Sequence, residues 1–216
     1  MTDHLIITQR NGGHLQVTLN RPGKANALSQ VMLHQLHDIF ADAAHDRDLR
    51  ALSITGTGGR VFCGGADLTE VSFDPDDPSQ EIWDDMAKAL AAVPVLTIAM
   101  INGACIGGGM TLALGCDIRV CVPQSVFGYP VLQNGILLGD IDAARLRALV
   151  GPGRASLFLL GAARILADEA LSWGLVDRIV EPVALEAAVT TLCTTALAAD
   201  RDHLAALKVQ CREGRS

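Results

Sequence analysis

From Leu15 to Leu19 apolar and polar residues alternate, the period of a half-buried strand. Leu5–Gln9 is a second strand-like run, and Asn11-Gly12-Gly13 between the two is a hairpin signal. Asn20-Arg21-Pro22-Gly23 ends the second strand, and after Ser29 the period changes. Met32, Leu36, Ile39, Phe40 and Ala43 form one apolar stripe of a helix that Ser29 can cap. Ala51–Thr55 is the next strand, followed by a Gly-rich loop at Gly56-Thr57-Gly58-Gly59. Asp74–Gln80, with two prolines and three aspartates, reads as a loop. Ile82, Met86 and Leu90 begin another amphipathic helix that closes before Pro94. The apolar run Pro94–Met100 is a buried strand, and three glycines, Gly107–Gly109, open an apolar helical segment. Ile118–Val122 is strand-like, and Phe127–Gly139 is irregular. Ile141–Val150, Ala155–Leu160 and Ala167–Trp173 are helical, the last stopped by Gly174. Val176–Val180 is a strand, and Ala184–Ala199 and His203–Cys211 are Ala/Leu-rich helices. Strands that first alternate with helices and then give way to them predict one α/β unit.

Composition narrows the class. Half of the 216 residues are hydrophobic and 19% are charged, which excludes a disordered chain. A net charge of −7 argues against nucleic acid and against an anionic membrane surface as partners. The longest apolar stretches, Pro94–Ile101 and Met110–Leu114, are too short to cross a bilayer. Met1-Thr2-Asp3-His4 carries neither a basic n-region nor an Arg-rich pattern, so a cytoplasmic location is expected. The six cysteines include no Cys-x-x-Cys pair and read as reduced core thiols.

Candidate chemistry concentrates in Ile101–Asp117. A strand, a glycine turn and a buried helix leave N–H groups without partners at the helix start, with the helix dipole behind them. Such donors suit a negative oxygen, and glycine lets a ligand come close to the backbone. Most Gly-Gly-Gly turns merely bend the chain. The segment Phe62-Cys63-Gly64-Gly65-Ala66-Asp67-Leu68 supplies the other half of a possible two-donor hole.

These phrases also occur in a familiar order. Leu19-Asn20-Arg21-Pro22 with Asn26-Ala27-Leu28, Phe62–Leu68, and Pro94-Val95 running to Asn102-Gly103 come first. Ile106–Gly109, Cys116-Asp117-Ile118-Arg119 and Ala170–Asp177 follow. The chain thereby resembles the crotonase (enoyl-CoA hydratase/isomerase) superfamily over residues 5 to 182. The resemblance implies a spiral of ββα units in residues 1–182 and a C-terminal helical segment in 183–216 on the trimerisation side. It implies a homotrimer or hexamer and an acyl-CoA or acyl-carrier-protein thioester as substrate, with no other cofactor and no metal. Catalysis would run through an enolate whose oxygen is held by the amides of Ala66 and Gly108. Asp67, Leu68 and Thr69 would follow the adenine and pantetheine, with Lys24, Ala25 and Ala27 at the nucleotide end. Read simply as residues, Lys24 is equally a solvated lysine and Asp67 a structural carboxylate.

The sequence departs from this pattern at two positions. Where a hydratase of this family carries its two glutamates, the chain has Thr111 and Val131, and neither can act as a general base at neutral pH. Asp140, after Gly139, is the candidate base; its competing role is a helix N-cap. Tyr129, Gln133 and Asn134 would border the acyl group, and Asp142 reads as an acid suited to the helix dipole. The expected reaction is double-bond isomerisation rather than hydration. Decarboxylation, C–C hydrolysis, or thioester binding without catalysis remain alternatives. Leu166 stands where the family commonly has a Ser or Thr cap. The chain ends at Ser216, short of a typical member, so a more open pocket, or one covered by another subunit, is expected.

Overall fold

The computed structural model describes residues 4–71 and 78–212. Of the expected loop at Asp74–Gln80, residues 74–77 lie outside the described residues. Pro78–Gln80 already belong to a helix, since proline is tolerated in a first helical turn. In chain order the elements are β1 (Ile6–Asn11), β2 (His14–Leu19), α1 (Gln30–His45), β3 (Ala51–Gly56) and β4 (Val61–Cys63). Next come α2 (Pro78–Ala92), β5 (Leu96–Ile101), β6 (Ala104–Ile106), α3 (Gly108–Gly115), β7 (Ile118–Cys121) and β8 (Val126–Gly128). The chain then runs through α4 (Asp140–Val150), α5 (Pro152–Leu159), β9 (Arg164–Leu166), α6 (Ala167–Trp173), β10 (Arg178–Ile179), α7 (Leu185–Ala198) and α8 (Arg201–Arg212).

The first sheet has the order β1-β2-β3-β5-β7-β10 and the second β4-β6-β8-β9. β1 and β2 form the expected antiparallel hairpin, with Ile6 opposite Leu19. From β2 to β10 the first sheet is parallel. Successive turns give one strand to each sheet and then a helix: β3-β4-α2, β5-β6-α3, β7-β8-α4. This is the ββα spiral that the resemblance implied. The short strands β4, β6, β8 and β9 were not legible in the sequence, because three residues are too few to establish a period. Strand β5 therefore does not run directly into α3, and Phe127–Gly139 is not irregular throughout: it contains most of β8 and a 3₁₀ turn at Leu132–Asn134.

Helix α3 lies at the centre, with all eight residues buried, which is why it is apolar on every side. α1 presents Met32, Leu36 and Phe40 to this core, and its N-cap is Ser29, whose hydroxyl accepts from Met32 N at 3.3 Å. Two sequence phrases prove to be braces. Arg119, buried, donates to the Leu175 carbonyl at 2.8 Å and to Asp177 at 2.9 Å. Asp117 accepts from Thr97 N at 2.9 Å and pairs with Lys208 and Arg212 of α8, each at 2.7 Å. Five cysteines are buried, as expected of core thiols, whereas Cys211 is exposed; burial pushes Cys63 and Cys116 up to about 12. Among the described residues no single helix is long and apolar enough to cross a membrane.

Candidate active site

The site follows from strand register. In the second sheet Cys63 lies beside Cys105, and Cys105 beside Phe127, all parallel. The C-terminal ends of β4, β6 and β8 therefore release three loops side by side: Gly64–Asp67, Gly107–Gly108 and Tyr129–Val131. Gly107 N donates to Gly128 O at 2.9 Å, which ties two of these loops together. Around them is a cavity of about 100 Å³.

Ala66 and Gly108, the residues of the anticipated hole, both line this cavity. Leu28 N donates to Gly65 O, and Asp67 N donates to Leu28 O, each at 2.8 Å. In a planar trans peptide the N–H of Ala66 then points to the opposite side from Leu28. There it meets the start of α3: a methyl built on Gly108 would lie 3.4 Å from Ala66 N. Gly108 opens α3, so its N–H has no intrahelical acceptor. Among the described residues neither amide donates to a backbone carbonyl. Gly65 (φ +114°) and Gly107 (φ +50°) precede the two donors, in conformations that side-chain-bearing residues rarely adopt.

Asp140 requires a correction. It is exposed on an adjoining groove with Asp84, Lys88 and Asp142, and unlike Asp142 it is absent from the cavity lined by Ala66 and Gly108. Nor is it the N-cap: that position belongs to Gly139, and Asp140 is the first residue of α4. Two residues further along the helix, Asp142 is 5% exposed and lines the cavity. Its Oδ2 accepts from the Thr111 hydroxyl at 2.7 Å and from the Tyr129 hydroxyl at 2.8 Å, and those two hydroxyls are 2.8 Å apart. Burial raises the Asp142 carboxyl above its ordinary value, against the pull of the two hydroxyls and Arg145; Asp84 adds to the rise. The Tyr129 hydroxyl is also pushed upward, first by burial and then by Asp142. Asp142 was read only as a first-turn acid. The missed signal was its spacing of four and eight from the buried Leu146 and Val150.

The other candidates separate by position. Val131 lines the cavity as a hydrocarbon wall, and Leu68 stands exposed at its edge. Thr111 is buried behind Asp142, and Asn134 is among the lining residues whereas Gln133 is not. Asp67 is held by the Thr69 hydroxyl at 2.6 Å and by Arg21 at 2.8 Å, which lower its carboxyl to about 2. Lys24 and Ala25 are exposed and Ala27 half-buried on the loop braced against Gly64, where Gly64 N donates to Ala25 O at 2.9 Å. Trp83 also went unnoticed in the sequence. Its ring covers Gly108 so closely that a methyl there would lie 2.3 Å from Cη2.

Comparison with known proteins bears on the family and the fold. A family model described as enoyl-CoA hydratase/isomerase matches residues 9–215. The Bacillus subtilis protein YngF is 38% identical over 185 residues, covering 84% of this chain and 71% of YngF. The short-chain-enoyl-CoA hydratase of Clostridium acetobutylicum is 33% identical over 180 residues, covering 82% of this chain and 69% of that enzyme. Among solved structures, an enoyl-CoA hydratase/carnithine racemase from Magnetospirillum magneticum superposes with a TM-score of 0.88 at 30% identity. The match covers 97% of this chain and 80% of that one.

Proposed function

The chain belongs to the enoyl-CoA hydratase/isomerase family, and on that premise we propose that it binds an acyl thioester and stabilises the enolate formed at its carbonyl. The observation that carries this reading is that Ala66 and Gly108 line one cavity and that, among the described residues, neither N–H donates to a backbone carbonyl. Preorganised donors of this kind act on charge as it develops, and losing one costs about 3 kcal/mol of transition-state stabilisation in comparable holes. The thioester is carried on coenzyme A or on an acyl carrier protein.

Within this family, isomerisation of a double bond is the reaction the side chains favour over hydration. Hydration by the two-carboxylate route needs one group to hold and deprotonate water and another to protonate carbon. The chain offers a hydroxyl at Thr111 and a hydrocarbon at Val131 in the positions of those groups. Moving a proton between two carbons of an enolate needs a single acid/base residue. The test is to incubate the chain with a 3-enoyl-CoA and, separately, with a 2-enoyl-CoA. Conversion of the first to the conjugated isomer, with little 3-hydroxyacyl product from the second, is expected. A 3-hydroxyacyl thioester as the main product would reverse the ranking, and no binding of either would remove the thioester reading.

A further inference from the structure

We propose that Asp142 is the proton-transferring residue of this chain, set in place by the hydroxyls of Thr111 and Tyr129. The proposal rests on the thioester reading above and adds a catalytic residue at a position where the sequence pattern had suggested only a helix-end charge.

Three observations carry it. First, among the described residues lining the cavity with the Ala66 and Gly108 amides, Asp142 is the one carboxylate. Second, α4 presents it inward: Asp142, Leu146 and Val150 are its buried face, so a carboxylate occupies a place where packing alone would select an apolar side chain. Third, two hydroxyls from different elements, Thr111 of α3 and Tyr129 after β8, converge on Oδ2. That anchors Oδ2, and among the described residues no hydrogen bond is made by Oδ1. Position 111 thus orients a carboxylate instead of supplying one.

The electrostatic surroundings suit a base. Desolvation raises Asp142, and Asp84 from α2 acts in the same direction. Thr111, Tyr129 and Arg145 oppose them, Arg145 from the same helix with its guanidinium donating to Leu114 O at 3.0 Å. A carboxylate in a dry site is a stronger base than a solvated one, and the opposing donors keep it from being permanently neutral.

The step balances without a further reagent. The Asp142 carboxylate takes a proton from carbon 2 of a 3-enoyl thioester. The C–H electron pair becomes the carbon 1–carbon 2 double bond, and the carbonyl pair moves to the oxygen facing the Ala66 and Gly108 amides. The protonated Asp142 then gives a proton to carbon 4. The double bond settles between carbons 2 and 3, the carbonyl reforms, and the carboxylate is regenerated.

The experiment measures deuterium uptake and isomer formation from a 3-enoyl-CoA in D₂O across pH, with butyryl-CoA binding as an independent readout. Asp142→Asn should lose at least about 100-fold in rate while butyryl-CoA affinity changes less than about threefold. Asp140→Asn, on the neighbouring groove, should be unaffected. Tyr129→Phe removes one donor from the carboxylate, so the limb on which activity rises with pH should move to higher pH. A merely structural role for Tyr129 would leave that limb in place. Wild-type rates in Asp142→Asn would overturn the proposal. So would an unmoved limb in Tyr129→Phe, which decides the matter if Asp142→Asn does not fold, or a wild-type chain that binds butyryl-CoA and exchanges nothing. A wild-type chain that binds no thioester at all would instead overturn the underlying reading.

Discussion

Gly108→Ala tests the hole at its narrowest point. The added methyl would lie 2.3 Å from Cη2 and 3.0 Å from Cζ2 of Trp83, and 3.4 Å from Ala66 N. Non-bonded carbons rest about 3.5–4.0 Å apart, so the indole or the start of α3 must move by roughly 1 Å. Overpacking of this kind costs about 1–3 kcal/mol. For a chain of this size each kcal/mol lowers Tm by about 2–4 °C, so the expected fall is about 2–12 °C. The catalytic effect has a different origin. The methyl would sit 3.4 Å from Ala66 N and crowd any acceptor of that N–H, and blocking a hole donor should lower turnover by about 100- to 1,000-fold. Removing the ring separates the two effects. In a Trp83→Leu background the stability cost of Gly108→Ala should shrink toward zero, a coupling of about 1–3 kcal/mol in a double-mutant cycle, while turnover stays low. Thermal denaturation and 3-enoyl-CoA isomerisation read the two quantities. Unchanged turnover in Gly108→Ala would refute the assignment of the hole. Recovery of turnover in the double variant would move the effect from the amides to the ring.

Leu166→Thr should raise stability by about 1 kcal/mol: Leu166 is the N-cap of α6, already extended (φ −87°, ψ 168°), 64% exposed and without a side-chain cap bond. Thermal denaturation checks it, and a lower Tm would show that the leucine makes contacts worth more than a cap. Asp67→Asn should matter least in acid. The Thr69 hydroxyl and Arg21 depress Asp67 from 3.8 to about 2, so its contribution is present above the unfolded value and lost as pH falls through the folded one. The stability gap between wild type and variant should therefore be flat above pH 4 and close toward pH 2, by urea unfolding; a gap unchanged at pH 2 would contradict this. At the other end of the scale, desolvation lowers Lys208 from 10.5 to about 8 despite Asp117. The charged form is then disfavoured by folding, and the difference in stability between wild type and Lys208→Met should rise by about 3 kcal/mol from pH 8 to pH 10.5. A flat difference across that window would mean that the ammonium is better solvated than its burial suggests.

The parts of the fold that could be read were those with a period. α1 was legible to its cap, because Ser29 precedes a stripe long enough to establish 3.6-residue spacing. The second sheet was not, since its strands span three residues each, yet its register decides which loops meet. Glycine phrases, through the resemblance their order carries, pointed to Ala66 and Gly108, which line one cavity, whereas Trp83 lay unmarked in the apolar stripe of α2. Asp140, not Asp142, was the expected base for a related reason. Asp140 follows Gly139 and so reads as the start of a helix and the end of a conspicuous turn, but residues two apart on a helix face nearly opposite ways. The turn that exposes Asp140 buries Asp142. Apolar spacing on α4 already carried this information, in the interval from Asp142 to Leu146 to Val150. An acidic side chain in phase with a buried stripe costs free energy in desolvation unless partners meet it. In this chain they do, from Thr111 and Tyr129, beside the cavity that Ala66 and Gly108 also line. Chemistry in this fold is therefore best sought where the apolar period is kept in position but broken in residue type.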